Sequence, residues 1–326
     1  MQKTNISALP DFSDLHIVVI GDVMIDRYIY GMVKRISPEA PVPILDMHNN
    51  VNKLGGAANV AANIKALGAK VTLISIIGDD DEGKMLLSIL QREGLDNRSI
   101  TEVANRKTTL KTRVMAGNQQ LLRIDQEDAF DIEQNVESII LNTYIQILEN
   151  TKVDGIILQD YNKGLLTENL ITKLMNIAQK HKIDTFVDPK EKNFFAYKDC
   201  TVFKPNKKEV RHATNIHTED YESISAYIKQ KLQNTLTVIT LGSQGIYMHN
   251  GQNGTKYDTS PRVIADVCGA GDSVISIICL CYLKNIPLSD MALMANLAGG
   301  QVCEYPGVVV VNRDKLLKEL DENTFT

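Results

Sequence analysis

Nine residues toward the end of the chain have the types and spacing from which group-transfer chemistry is built: Asp266-Val267-Cys268-Gly269-Ala270-Gly271-Asp272-Ser273-Val274. A turn of small residues runs straight into an apolar stretch, Val274 to Leu283, long enough for a buried helix. Such a junction aims the free amides of Gly269, Ala270 and Gly271, with the positive end of a helix dipole, at one point. That point attracts phosphate. Asp272 falls in the first turn beside it. An anion hole next to a carboxylate suits phosphoryl transfer to a hydroxyl: the acid accepts the proton while the amides hold the charge on the transferred group. A glycine turn with a capping aspartate, as in many α/β proteins, explains these residues equally well when they are taken alone.

The elements that must hold this turn follow from the rest of the chain. HIVVIG (16–21) is a short apolar run ending in glycine, the pattern of a buried parallel strand. Asp22 and Asp26 lie just past its end, where open α/β sheets bind ligands, and either carboxylate can accept from sugar hydroxyls or sit in a solvated turn. Residues 27–54, with Gly31, Pro38, Pro41 and Pro43, read as strand or ribbon projecting from the sheet. Residues 107–125 read as two strand halves around Ala116-Gly117-Asn118. Together the two insertions predict a small β-lid over the ligand site. Between them, Leu54-Gly55-Gly56-Ala57-Ala58-Asn59 reads as a helix start. Its paired glycines allow close backbone approach, and Asn59 one turn in can reach a hydroxyl, although tight helix–sheet packing accounts for the same residues. Gly78 to Met85 nearly spells a phosphate-binding loop. Met85 in place of a hydroxyl, and four consecutive carboxylates, argue instead for an ordinary strand–turn–helix junction.

From residue 133 onward helix and strand patterns alternate: helix at 133–149, GIILQD (155–160), helix at 167–181, TFVDPK (185–190), TVFKPN (201–206) and VITLG (238–242). Asp160, Lys163, Asp188 and Lys190 again fall at or beyond strand ends. GIYMHNGQNGTKYDTS reads as a hairpin around Asn253-Gly254. Residues 286–305 form an apolar helical region, and 313–320 a charged terminal helix. The prediction is α/β: one domain, 1–326, with a doubly wound, mainly parallel sheet flanked by helices and a lid from insertions at about 27–54 and 107–125.

Composition sets outer bounds. A net charge of −5 over 326 residues argues against a surface built for nucleic acid. MQKTNISALPDFSDL lacks the apolar core of a signal peptide, and no run of 18 apolar residues exists, so no membrane partner is expected. Five cysteines without a paired spacing suggest a reducing, cytoplasmic setting, with Cys279 and Cys281 reading as core.

LGGAANVA and DVCGAGDSV, in this order and with α/β alternation between them, resemble the two signatures of the ribokinase family of carbohydrate kinases. The resemblance covers nearly the whole chain. GDVMIDRY (21–28), RISPEAPVP (35–43), NQQLLRID (118–125) and DYNKG (160–164) further resemble the branch that phosphorylates D-glycero-D-manno-heptose 7-phosphate. The resemblance implies ATP and Mg²⁺ as cofactors and transfer to the anomeric O1 of that sugar. It implies Asp272 as catalytic base and Gly269, Ala270 and Gly271 as the anion hole. Asp22, Asp26, Gly55, Gly56 and Asn59 match the sugar-binding positions. Asn206 and Glu209 match the element that organises the nucleotide phosphates and the metal, Glu209 acting on Mg²⁺ through water. Lys207 and Lys208, within that element, and Gly242 are placed on the nucleotide side. A substrate already carrying a phosphate needs cationic partners, and Arg113, Arg123 and Lys163 are the candidates, with surface ion pairs the alternative for each. One residue departs from the family: Cys268 stands where threonine is usual. Its position at a helix N-terminus also makes a reactive thiol a reading to weigh. A homodimer through the lid would cover the edges of its strands. A kinase for another sugar, such as ribose or fructose 6-phosphate, and a sensor that binds sugar or nucleotide without turnover are the competing readings.

Overall fold

The computed structural model describes residues 9–117 and 119–324; Asn118, at the expected tip of the second lid hairpin, and residues 1–8 of the N-terminal segment lie outside them. In chain order the elements are β1 (His16–Gly21), β2 (Val23–Ile36), β3 (Pro43–Gly56), α1 (Ala57–Ala66), β4 (Lys70–Gly78), α2 (Asp81–Arg92), β5 (Ile100–Val103), β6 (Leu110–Ala116) and β7 (Gln119–Gln126). They continue with α3 (Gln134–Asn150), β8 (Gly155–Gln159), α4 (Glu168–His181), β9 (Asp184–Asp188), β10 (Val202–Phe203), α5 (Lys207–Thr214), α6 (Tyr221–Leu232) and β11 (Leu236–Thr240). β12 (Ile246–His249), β13 (Gly254–Tyr257), α7 (Ala270–Leu283), α8 (Leu288–Cys303) and α9 (Arg313–Thr324) complete the chain.

Nine strands form the main sheet in the order β13-β12-β11-β10-β9-β8-β1-β4-β5. All pairings are parallel except those of β11 with β12 and β12 with β13. The uninterrupted apolar character of β1 has a direct cause. Ile17 and Val19 enter one core, with α1, α7 and α8, while Val18 and Ile20 enter the other, with α3, α4 and α6. From β1 the chain adds β4 and β5 on one side, then returns to build β8 onward on the other. The gap beyond the ends of β1 and β8 is therefore the switch point where such sheets bind ligands.

The lid is a separate four-stranded sheet, β3-β2-β6-β7. Its strands are longer than the sequence pattern indicates: β2 and β3 run 14 residues each and cover 23–56, and the second pair covers 110–126. The prolines do not break this ribbon. Pro38 and Pro41 sit in the turn closed by Ser37 N–H to the Val42 carbonyl, and Pro43 opens β3 where no ladder donor is needed. Two other expectations are corrected. The hairpin at 246–257 turns at 250–253, so Gly254 is the first residue of β13, not part of the turn. TVFKPN contains only a two-residue strand, because Pro205 ends the ladder. Gly78–Met85 is an ordinary junction: Asp80 caps α2 through the Gly83 amide and also takes both donors of Thr108 at the base of the lid.

Candidate active site

Asp272 enters the site from the first turn of α7, behind Gly269, whose φ of 81° is the left-handed conformation that glycine adopts freely. Its carboxylate is buried and accepts from three side chains. Asn59 of α1 reaches Oδ2 at 2.7 Å, while Tyr161 Oη at 2.9 Å and Gln159 Nε2 at 3.2 Å reach Oδ1. Burial pushes its carboxyl up to about 7; the Asn59 hydrogen bond works against this and the nearby Asp188 adds to it. A carboxyl held near 7 is suited to taking a proton from a hydroxyl. The Ala270 amide turns back to the Val267 carbonyl at 3.4 Å. Among the described residues the amides of Gly269, Gly271 and Asp272 meet no protein acceptor, so two of the three donors expected from the glycine pattern are free and only that of Ala270 is engaged.

The turn has two sides. Ala270 and Gly271 line a cleft of about 610 Å³, with Gly242, Gly245, Ala295 and Gly299 among the other walls. That volume suits a nucleotide-sized ligand. Gly242 has φ 62° and open space where a side chain would be, so it keeps the cleft mouth clear. The Asp272 carboxylate points the other way, to Asn59 and Tyr161 beneath the lid. At the floor, Lys204 is buried and paired with Asp188 at 3.0 Å. Its Nζ lies 3.7 Å from where a Cβ on Gly271 would stand, so an ammonium sits close to the turn that opens α7. Gln159 Nε2 joins the two carboxylates, Asp188 at 3.0 Å and Asp272.

The remaining expected residues divide sharply. Asn206 and Glu209 form a capping box on α5: Asn206 Oδ1 accepts from the amides of Lys208 and Glu209, and Glu209 Oε2 accepts from the Asn206 amide at 2.8 Å. Lys190 holds the other Glu209 oxygen. Burial and the neighbouring Asp188 raise the Glu209 carboxyl against the pull of Lys190. Each Glu209 oxygen therefore already has a protein partner, and no cluster of three candidate metal ligands occurs among the described residues. Lys207 reaches Glu219 at 2.9 Å and Gln244 at 2.7 Å, while the Lys208 side chain faces solvent.

Asp22 is the clamp of the turn after β8. Its two oxygens accept the amides of Tyr161 (2.9 Å), Lys163 (3.0 Å) and Leu165 (3.3 Å), while burial pushes its carboxyl upward. These bonds fix the loop that carries Tyr161 onto Asp272. Asp26 instead pairs with Arg113 of β6 in a buried bridge, and the other Arg113 nitrogen reaches Cys268 Sγ at 3.4 Å. Gly55 and Gly56 hold these acids in place. A Cβ at Gly55 would lie 2.2 Å from Asp26 Oδ2, and one at Gly56, where φ is 60°, would lie 2.3 Å from the Asp22 carbonyl. Arg123 is exposed and bound to Asp125, and Lys163 is bound to Glu127 at 2.7 Å. The Cys268 thiol is pushed up to about 11, burial outweighing the Arg113 charge, which is the reverse of an activated thiol. Sequence reasoning passed over Gln159, Tyr161 and Lys204 as site residues. Gln159 and Tyr161 carry the same signal as Asp22, a polar residue at a strand end. Lys204 follows an apolar strand and is the only charge inside TVFKPN.

With this geometry in place, residues 14–315 match the model of the pfkB family of carbohydrate kinases. The chain belongs to that family. It is an ATP-dependent sugar kinase. It is 40% identical over 305 residues to the bifunctional protein HldE of Aliarcobacter butzleri, and 38% identical over 308 residues to that of Methylobacillus flagellatus. These alignments take in 92% and 93% of this chain but only 63% of each relative, so the kinase spans about two thirds or less of their length. Among solved structures it is similar to phosphofructokinase-2 from Escherichia coli in complex with potassium (TM-score 0.76, 23% identity, 95% of this chain and 98% of that one). It is also similar to ribokinase from Arabidopsis thaliana complexed with ribose and ATP (TM-score 0.71, 17% identity, 93% and 98%). At these identities the likeness is one of fold, a ribokinase-like α/β sheet flanked by helices. Among the described residues no helix is long and apolar enough to cross a membrane.

Proposed function

We propose that the kinase transfers the γ-phosphoryl group of ATP to the anomeric O1 of D-glycero-D-manno-heptose 7-phosphate. The product is the 1,7-bisphosphate, used in making nucleotide-activated heptose for surface glycans. The observation that carries the transfer is the two-sided turn: Gly271 opens on the nucleotide cleft while Asp272, on the same turn, presents its carboxylate beneath the lid. Asp272 takes the O1 proton. The free amides of Gly271 and Asp272 and the Lys204 ammonium draw off the charge of the moving phosphoryl group. Asn59 and Tyr161 hold the base in one orientation, and the lid keeps water from accepting the phosphoryl group. Asp26 and Asn59 are the sugar-facing groups; Asp22 serves by holding the 161–165 turn. Mg²⁺ would come with ATP, neutralising its phosphates and meeting Glu209 and Asp188 through water.

The heptose assignment draws on the motif resemblance at 21–28, 35–43, 118–125 and 160–164, and on the cation-rich inner face of the lid. A homodimer through the lid fits its other face, where Ile29, Val114 and Leu122 share one row and Ile124 the next, with Leu122 and Ile124 more than half exposed. The test is a coupled ADP-release assay over a panel of sugars and sugar phosphates, with phosphorus NMR to locate the new phosphate. A phosphate on O1 of the heptose is the expected result. Turnover confined to ribose or fructose 6-phosphate would overturn the heptose assignment, and tight binding of ATP and sugar with no product would overturn the kinase chemistry.

A further inference from the structure

Lys111 of β6 is a half-buried cation that forms no ion pair among the described residues. In the lid ladder it stands directly beside Asp26 on β2 and Asp125 on β7. Both acids are already taken, Asp26 by Arg113 and Asp125 by Arg123. Glu127, the third acid acting on it, is bound to Lys163. No hydrogen bond or ion pair joins the Lys111 ammonium to any described residue. Its surroundings are hostile to charge. Burial works against the ammonium first and the cation of Lys163 next, and together they lower its pKa despite Glu127, Asp125 and Asp26. A folded chain gains nothing from such a group unless something outside it brings the missing charge.

The geometry points to Lys111, with Lys163 beside it, as the seat of the phosphate that the sugar already carries. This rests on the reading of the protein as a kinase of a phosphorylated sugar. Position supports it. Lys163 lies two residues from Tyr161, a chain reach of at most about 7 Å. Tyr161 binds the Asp272 carboxylate, so the same short turn ties the proton-accepting end of the site to the Lys111–Lys163 end. A monosaccharide spans such a gap, with its reacting hydroxyl at Asp272 and a terminal phosphate under the lid. A dianion there would sit between two ammonium groups in partial burial, where charge-assisted hydrogen bonds are strongest. The expected phosphate ligands Arg113 and Arg123 take a different part. By occupying Asp26 and Asp125 they keep Lys111 free.

The experiment compares wild type with Lys111→Gln and Lys111→Met. For whichever sugar phosphate the protein turns over, with heptose 7-phosphate and fructose 6-phosphate as first probes, both variants should raise its KM at least tenfold and leave the KM for ATP within threefold. The melting temperature should stay level or rise, most in Lys111→Met, because an uncompensated ammonium has been removed; a residue that only supported the lid would lower it. If heptose 7-phosphate is not a substrate but another sugar phosphate is, and its KM rises in the variants, the heptose assignment fails and the Lys111 seat stands. An unchanged KM in Lys111→Gln, or a preference for the sugar lacking phosphate, overturns the seat. Should no sugar be turned over, calorimetric titration of inorganic phosphate decides: several-fold weaker binding in Lys111→Gln supports the seat, and equal binding overturns it.

Discussion

The ends of the main-sheet strands and the inner face of the lid treat charge in opposite ways. At the strand ends the buried acids are over-supplied with donors: Asp22 takes three amides, and Asp272 takes Asn59, Gln159 and Tyr161. Beneath the lid the cations outrun their partners, with Lys53 and Lys111 half-buried and bound to no acid among the described residues, and burial the leading cause that lowers both. A site whose base is held rigidly before substrate arrives, under a cover that gains its missing charge from the substrate, closes most firmly when that substrate is anionic. On the function proposed above, the first region sets rate and the second sets selectivity.

Removing the proposed base, Asp272, is the harshest way to break this contrast. Asp272→Asn keeps the shape of the side chain and removes its ability to accept a proton, so kcat should fall by about 10²- to 10⁴-fold, read in the ADP-release assay. A kcat at the wild-type level would remove Asp272 from the reaction. The same variant sharpens the electrostatic side. The folded Asp272 carboxyl lies near 7, above its ordinary value, so ionising it costs the folded state stability as pH rises through 7, and that cost vanishes below the unfolded value. Asp272→Asn should therefore melt higher than wild type at pH 8, by up to about 4 kcal/mol on an order-of-magnitude scale, with the gap closing toward pH 4. A gap that widens on acidification would mean the carboxylate is stabilised in place. Wild-type kcat/KM should fall below pH 7 as the base becomes protonated. Asp160, also pushed up to about 7 by burial and by Asp22, lies in the same range, so it is the variant that assigns the limb.

Asp22→Ala tests whether the strand-end acids are clamps or ligands. Deleting the carboxylate orphans three amides and frees the turn that positions Tyr161. We expect a loss of about 3 kcal/mol in denaturant unfolding and a fall in kcat that follows it. Unchanged stability with a raised sugar KM alone would make Asp22 a sugar ligand and remove the contrast drawn above. A milder intrusion is Gly55→Ala. Its Cβ lands 2.2 Å from Asp26 Oδ2 and must push that carboxylate against Arg113. We expect kcat/KM for the sugar to drop by about tenfold while the ATP side is spared.

How much of this the sequence discloses depends on the distance between partners. HIVVIG reads correctly as a strand because Ile17 to Gly21 are buried, and the start of α7 at the GAGD turn is legible because its spacing is local. The lid strands read as short pieces because glycine and proline mark breaks in a single sequence. Yet Gly31 lies mid-strand, where a Cβ would strike Leu45 at 2.6 Å, so it is required by close strand approach. The pairing of Asp26 with Arg113, 87 positions apart, leaves no local trace, and neither does the sparing of Lys111 that follows from it. Arginine in KTRV and NQQLLRID reads as a phosphate ligand, and nothing local announces the ion pairs that join Arg113 to Asp26 and Arg123 to Asp125. The capping box of Asn206 and Glu209 is the opposite case, since its spacing is its mechanism, and what it does toward a metal is a separate matter.

The smallest effect belongs to the residue that departs from the family. Cys268→Thr restores a hydroxyl at the hinge between the two regions, where Sγ now meets Arg113 Nη2 at 3.4 Å while the Cys268 amide is held by Asp266 Oδ1 at 3.0 Å. The backbone of the turn is thus set without the side chain, and the free amides follow from Gly269 in its left-handed conformation rather than from position 268. A hydroxyl would make a shorter bond to the guanidinium than sulfur does, drawing Arg113 slightly from Asp26. We expect kcat to change by less than about threefold, with any change falling on the sugar KM, because Arg113 belongs to the lid and not to the turn. A tenfold gain in kcat would show that position 268 acts on the phosphoryl group itself, and the line between a rate-setting strand end and a selectivity-setting lid would then have to move to include it.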